Sequence, residues 1–218
     1  MKSTYSGLPH EFKYVLKVIL IGDTGVGKTC LIDRFCNNHF DMMHDITIGV
    51  EFGSKIVEVS EEGGESFCVK AQFWDTAGQE AYRSIVRSYY REASGVLLCY
   101  DVSQYLSFQN VVSWLKEVRN ECDDGTKIIL VAMKCDLESK RCVGSKEGRE
   151  LADEHGLLFC EVSAKKNVNI YSCFDMLIRE ICGGYRDGTV KSGVRETYYT
   201  ADVGGGVVSK KKKKSCCS

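Results

Sequence analysis

Residues 14–29 read YVLKVILIGDTGVGKT, an apolar, β-branched run that passes directly into Gly22-x-x-x-x-Gly27-Lys28-Thr29. A buried strand ending in this spacing demands a fold in which the next backbone turn wraps around an anion. Glycines at 22, 25 and 27 let the main chain close around a phosphate chain without Cβ clashes. The N–H groups of that loop, with the N-terminus of the helix after it, form a concave anion cage. Lys28 supplies a mobile positive charge for the outer phosphates, and the Thr29 hydroxyl is placed to ligate Mg²⁺. Leu31, Ile32 and Phe35 then continue as the apolar stripe of the helix, which separates a phosphate cradle from a mere glycine-rich turn. Gly22, Asp23, Thr24, Gly25, Val26, Gly27, Lys28, Thr29 and Cys30 are therefore the expected binding loop. The chain is read as binding a nucleoside phosphate.

At 218 residues the chain accommodates one domain of about 150–180 residues plus tails. It is 44% hydrophobic and 27% charged with a net charge of −1, so no global charge bias points to nucleic acid. No run of about 18 apolar residues is present, so nothing is expected to span a membrane. The start, MKSTYSG, has neither an apolar signal core nor a Met-Gly acylation site. Twelve cysteines occur without a CxxC pair, and some, such as Cys99 and Cys160, lie inside apolar runs. They are read as reduced core residues of a cytosolic protein rather than a disulfide frame, a zinc site or a redox site.

Strand-like runs alternate with helical periodicity, the pattern of an α/β fold with a mainly parallel sheet. Val50–Val59 and Phe67–Trp74 flank the turn-like SEEGGES segment at 60–66 and read as an antiparallel hairpin. Gly95–Tyr100, Lys127–Met133 and Leu157–Val162 read as short buried strands. Ser107 is expected to cap a helix with Phe108, Val111, Val112, Leu115 and Val118 on its apolar side. A second helix is expected over 146–155, and a third after Asn169 with Ile170, Phe174, Leu177, Ile178 and Ile181 on one face. From Cys182 onward the apolar periodicity ends. The expected organisation is an extension over 1–12, a domain over 13–183 and a flexible tail over 184–218.

Phosphate binding alone leaves kinases, ATPases and GTPases open. The WDTAGQE segment at 74–80 decides between them. Asp75, at a strand end, can hold the hydration shell of Mg²⁺; Gly78 can bring its N–H to a γ-phosphate; Gln79 can orient an attacking water. Together with the phosphate loop, this order and spacing resemble the Ras superfamily of small GTPases. Phe40, Thr47 in DITIGVEF, WDTAGQE, RSIVRSYYR at 83–91 and a double-cysteine terminus are similar to the Rab family. HDITIGVEFG, RSYYR, CDLESKR and EHGL look closest to the Rab branch of ER–Golgi traffic.

The resemblance implies a P-loop small GTPase fold with a six-stranded, mostly parallel sheet, one antiparallel hairpin strand and five flanking helices. It implies that Phe40 stacks on guanine and that Thr47 ligates Mg²⁺ with Thr29, with Asp75 acting through water. Lys134, Asp136 and Ser163-Ala164-Lys165 should line the base, and Gln79 should be the catalytic residue. An Asp carboxylate suits guanine because it can accept from N1–H and the exocyclic amine together. Phe52, Trp74 and Tyr89 resemble the aromatic trio that Rabs present to effectors. An exchange factor, a GAP, Rab escort protein and GDP dissociation inhibitor are the further partners implied, with the chain acting as a monomer.

One position departs from the family pattern. The guanine motif Asn-Lys-x-Asp reads Met133-Lys134-Cys135-Asp136 here. Losing one buried polar contact costs about 1–3 kcal/mol, roughly 5- to 150-fold in affinity. The hairpin turn at 60–66 also looks longer than usual in the family.

Lys210–Lys214 followed by Ser215-Cys216-Cys217-Ser218 is not a C-a-a-X box. The cysteine pair resembles the Rab signal for double geranylgeranylation on Cys216 and Cys217. Two prenyl chains meet the requirement for stable anchoring, and each lysine adds about 1 kcal/mol at an anionic surface. The expected address is the cytoplasmic face of endomembranes, at the ER–Golgi intermediate or the Golgi, cycling with cytosol. Three readings follow: a GTP-hydrolysing switch in vesicle traffic; a fast-exchanging, GTP-bound membrane scaffold, motivated by Met133; and a P-loop ATPase or kinase, disfavoured by Asp136 and DTAGQ.

Overall fold

A computed structural model of the chain describes residues 12–42, 46–60, 66–78 and 88–197. Strand β1 (Tyr14–Ile21) is the middle of the molecule, hydrogen-bonded in parallel to β3 (Ser66–Thr76) and to β4 (Gly95–Asp101). Period-two geometry splits its apolar side chains between two cores. Leu16, Val18 and Leu20 face one, Ile19 and Ile21 the other, and all five are fully buried. A strand buried on both faces needs helices above and below it, which is the reason for its continuous apolar run.

The two layers are supplied as that requirement predicts. Helix α1 (Lys28–Asn37) and the long final helix α5 (Ile170–Arg186) cover the first core with Leu31, Phe35, Phe174, Leu177 and Ile178. The second core is covered by the short α2 (Tyr105–Gln109), α3 (Val111–Glu121) and α4 (Ser145–Glu154) through Phe108, Trp114, Leu115 and Ala152. Beyond β4 lie β5 (Lys127–Met133) and β6 (Leu158–Glu161), both parallel, and β2 (Val50–Ser60) pairs antiparallel with β3. The order is β2-β3-β1-β4-β5-β6. Among the described residues this is the expected mostly parallel sheet with one antiparallel hairpin, flanked by the five helices α1–α5. The hairpin runs from Val50 opposite Thr76 to Ser60 opposite Ser66, and its turn at 61–65 lies outside the described residues.

Two regions depart from expectation, the α2–α3 helices and the tail. Ser107 does not cap a helix; it lies inside α2, where its hydroxyl donates to the Gln104 carbonyl (2.7 Å) and accepts from the Asp101 N–H (3.0 Å). That bond pins the helix to the end of β4. Val112, expected on the apolar side, is exposed, and Trp114 takes the buried place. Trp114 sits three residues after Val111 and four before Val118, on the buried stripe.

The second correction concerns the tail. The boundary at 183 falls within α5, which runs on to Arg186. After it the chain doubles back. Asp187 accepts from the Thr189 N–H (2.9 Å), Val190 is buried in the first core, and β7 (Val194–Glu196) pairs antiparallel with Tyr14–Leu16. The six-stranded sheet thereby gains a seventh strand, along the part of β1 that β4 does not reach. Gly193 makes this possible. Its φ is +69° and a Cβ there would overlap the Glu92 carbonyl and the Ser94 N–H, while its own carbonyl accepts from Lys17 N at 2.9 Å.

Gly193→Ala should therefore destabilise the protein by about 2 kcal/mol or more, through strain and backbone overlap together. For a domain of this size that is a fall in Tm of roughly 4–8 °C. Gly144→Ala, where φ is −72° and nothing lies within 4 Å of the new methyl, should leave Tm nearly unchanged. Equal melting of the two variants by thermal denaturation would contradict the packed strap that residues 187–197 form beside β1.

Candidate nucleotide-binding site

The phosphate loop joins β1 to α1 at the C-terminal edge of the parallel strands, where an open α/β sheet presents its ligand sites. Gly22, Gly25 and Gly27 have φ of 138°, 77° and 106°, values that side-chain-bearing residues avoid. The loop needs those conformations to aim its N–H groups inward. Gly22 also passes so close to the Cys99 carbonyl of β4 that a Cβ would overlap it.

A cleft of about 360 Å³ opens over this loop. It is lined by Thr24, Gly25, Gly27, Lys28, Thr29, Cys30, Phe40, Thr47, Gly78, Lys134, Asp136, Ala164 and Lys165, all expected from sequence, and also by Asp41, Met42, Ile46, Thr76, Met133 and Leu137. Of the other expected residues, Val26 is buried in the core beneath the loop, and Gly22 and Asp23 form its back. Gln79, Cys216 and Cys217 lie outside the described residues.

Lys28 is almost fully buried, and its Nζ donates to the carbonyls of Gly22 (2.8 Å) and Asp23 (3.0 Å). Burial lowers its pKa, and Asp75, Cys99 and Asp23 work against that shift. An anionic ligand in the cleft would do the same more strongly. Buried thiols go the other way: Cys99 is pushed up to about 12, and desolvation raises Cys30. Neither offers a thiolate nucleophile at neutral pH.

Three oxygen-bearing side chains meet at the phosphate end. Thr29 Oγ1 lies 2.8 Å from Thr47 Oγ1 and donates to Asp75 Oδ2, with Asp75 almost wholly buried at the end of β3. Two hydroxyls and a carboxylate are hard donors of the kind Mg²⁺ takes, so the residues fit that ion. Gly78 packs against the loop from the same side, so closely that a Cβ would run into Asp23 and Thr24 main-chain atoms.

At the base end, Ser163 Oγ donates to Asp136 Oδ1 at 2.6 Å and accepts from Lys166 N at 3.0 Å. Ser163 is fully buried and holds Asp136 from behind. Only one of the carboxylate's roughly four acceptor positions is consumed this way, which leaves capacity for two donors of a guanine edge. Lys134, in a left-handed conformation (φ 60°), reaches back to the Gly25 carbonyl (2.7 Å) and to Asp101 Oδ2 (2.7 Å). Met133 is buried, and its Cε lies 3.4 Å from where a Gly27 Cβ would stand. It packs on the loop as a hydrophobe.

Two contributors were missed from sequence. Asp101 is fully buried, accepts from Ser103 N (2.8 Å) and Ser103 Oγ (2.7 Å), and anchors Lys134. A carboxylate closing the apolar run GVLLCY was the available signal. Arg34 donates from Nε to the Ala164 carbonyl (2.8 Å) and sits 5.8 Å from the Phe40 ring, which joins α1 to the base loop. An arginine on the polar side of an amphipathic helix gives no such signal.

Next to the cleft, Phe52, Trp74 and Tyr89 form one continuous aromatic surface. Ring centroids are 5.0 Å apart for Phe52–Trp74 and 5.2 Å for Trp74–Tyr89, and Phe52 is exposed.

The comparisons with known proteins agree with this geometry. The family model described as the Ras family matches residues 17–183. Over 174 residues the chain is 45% identical to Ras-related protein RGP2 of Oryza sativa subsp. japonica, covering 80% of this chain and 78% of that protein. The family match embraces the phosphate loop, the Asp75–Gly78 turn and the loops carrying Lys134, Asp136 and Ser163. The chain therefore belongs to the Ras family of small GTPases, which hydrolyse GTP to GDP.

Proposed function

We propose that this Ras-family GTPase is a Rab-type switch that recruits effectors in vesicle-mediated membrane traffic. The observation that carries the reading is the Phe52–Trp74–Tyr89 surface. Phe52 and Trp74 lie on the β2–β3 hairpin, whose second strand carries Asp75 next to its end, with Tyr89 packed on Trp74, and the segment leading into β2 contributes Thr47 to the cleft. A change around Thr47 and Gly78 would therefore be felt directly by an exposed aromatic patch of the kind effectors read.

In this reading the loop N–H groups and Lys28 bind the phosphates, Thr29 and Thr47 hold Mg²⁺, and Asp75 acts on its hydration shell. Phe40, Asp136, Ser163, Ala164, Lys134 and Lys165 receive the guanine. Mg²⁺, when bound, neutralises charge on the β- and γ-phosphates. Gln79 orients the attacking water, and transition-state charge is completed by a partner, an effect worth about 10³–10⁵ in rate. The terminal Cys216 and Cys217 carry prenyl groups, and the protein works on the cytoplasmic face of endomembranes.

A second reading, a fast-exchanging scaffold that stays GTP-bound, draws on Met133. The methionine meets the phosphate loop at Gly27 with its terminal methyl, in place of the polar tie that Asn makes in the family. Against that stands the Lys134 link to the Gly25 carbonyl, which retains one brace.

Three measurements test these readings. Gln79→Leu should lower intrinsic hydrolysis and raise the GTP fraction bound to protein recovered from cells; an unchanged fraction would favour the scaffold. Met133→Asn should slow GDP release by about tenfold, about 1.4 kcal/mol, and an unaltered off-rate would make the methionine a silent packing substitution. Replacing both Cys216 and Cys217 with Ser should yield protein that no longer sediments with membranes but binds GDP as before. Continued sedimentation would defeat the lipid anchor.

A further inference from the structure

We propose that Asp23, Asn110 and Trp114 form a clamp that fixes the phosphate loop from behind and limits how fast nucleotide leaves. The inference rests on the nucleotide-binding reading of this cleft and assigns it three positioning residues.

Asp23 is the second residue of the GDTGVGKT loop. Its main-chain carbonyl accepts from Lys28, while its side chain is turned the other way, onto the helices that cover the second core. Oδ2 accepts from Asn110 Nδ2 and Oδ1 from Trp114 Nε1, each at 2.7 Å. The partners lie 87 and 91 residues away in sequence, so the contact is wholly tertiary. Trp114 is almost completely buried and belongs to the second core, and Asn110 is the junction between α2 and α3. Neither can follow the loop if it shifts without disturbing that core.

Both donors are neutral. The carboxylate is held by geometry rather than cancelled by a cation, and its field helps keep the nearby Lys28 ammonium charged against its burial. The clamp also faces Gly78, which packs on the Asp23–Thr24 main chain from the cleft side. The peptide that must cradle phosphate is thus pressed between the Gly78 turn and α3. Freeing its rear face would let the loop relax away from the ligand, and a looser cradle shows itself in dissociation more than in association.

The test uses the full chain, loaded with a fluorescent GDP analogue in Mg²⁺ and chased with excess GDP. Trp114→Phe removes the indole donor while keeping an aromatic of similar shape, and Asp23→Ala removes both acceptors. Each should accelerate release by about fivefold or more. The double variant should be no faster than Asp23→Ala alone, since both changes break one shared interaction. Asp23→Asn, which keeps the shape but offers an amide N–H₂ to one of the two donors, should fall between wild type and Asp23→Ala. It also serves as the acceptor variant should alanine fail to fold. Melting temperatures in saturating GDP should fall far less for Asp23→Asn than for the strap variant Gly193→Ala. Release rates within twofold of wild type in Trp114→Phe and in the Asp23 variants would overturn the clamp, and so would additive acceleration in the double variant. A wild-type protein that takes up no GDP analogue would instead overturn the nucleotide reading itself.

Discussion

The burial of β1 on both faces is the constraint from which the rest of the molecule follows. Leu16, Val18, Ile19, Leu20 and Ile21 are completely enclosed. At about 1.5–3 kcal/mol for each such side chain, their burial amounts to roughly 10 kcal/mol, comparable with the whole stability of an ordinary domain. Register is correspondingly rigid. A slip of one residue would carry Lys17, whose ammonium now reaches the Arg91 carbonyl at the strand's flank, into the core beneath α1 and α5. Because β1 cannot slide, the point at which Gly22 leaves the sheet is fixed, and with it the mouth of the cleft.

The loops around that mouth come from distant parts of the chain and are held by cross-ties rather than by their own secondary structure. Lys134 joins the base loop to Gly25 and is itself held by Asp101 at the end of β4. Arg34 joins α1 to the Ala164 carbonyl, and Ser163 joins the last base loop to Asp136. Asp23 ties the phosphate loop to α2–α3. In each case the side chain bonds a main-chain carbonyl or a buried polar group, which would be costly to leave unpaired. The site is an assembly of short segments that lock one another, and rigid elements supply only their anchor points.

This organisation explains what was legible in sequence. The phosphate loop, Asp75 and Gly78 were readable because their chemistry is local, a strand running into a fixed spacing of residue types. The strands and the long helix were readable because burial imposes periods of two and 3.6 on a contiguous run. Arg34 and the Asp23 clamp were not, since each acts through a partner far away in the chain and leaves no local pattern, and Asp101 offers only the carboxylate that closes the run GVLLCY. The strap over 187–197 failed for a related reason. Val194–Glu196 is too short for an alternation to register, and Gly193 is required by the Glu92–Ser94 main chain opposite it, not by its neighbours. A stretch rich in glycine and polar residues reads as tail because its buried apolar residue, Val190, carries no periodicity.

Met133 marks where a change in chemistry need not change the fold. Its neighbours in β5 alternate between the two cores, and position 133 faces the same one as Ile129 and Val131. A flexible thioether fills such an irregular space under a loop without strain. The substitution also leaves the two functions of the motif physically separate. In the proposed function guanine selection falls to Asp136, whose carboxylate is held by Ser163 on another loop, a pairing that does not involve residue 133. Retention depends on how firmly the phosphate loop is tied to its surroundings, where Lys134 and Asp23 each contribute a bond. In that reading the methionine bears on the lifetime of the complex and not on the identity of the base. With two polar ties retained, loss of the third would change the exchange rate in degree and leave the switch intact.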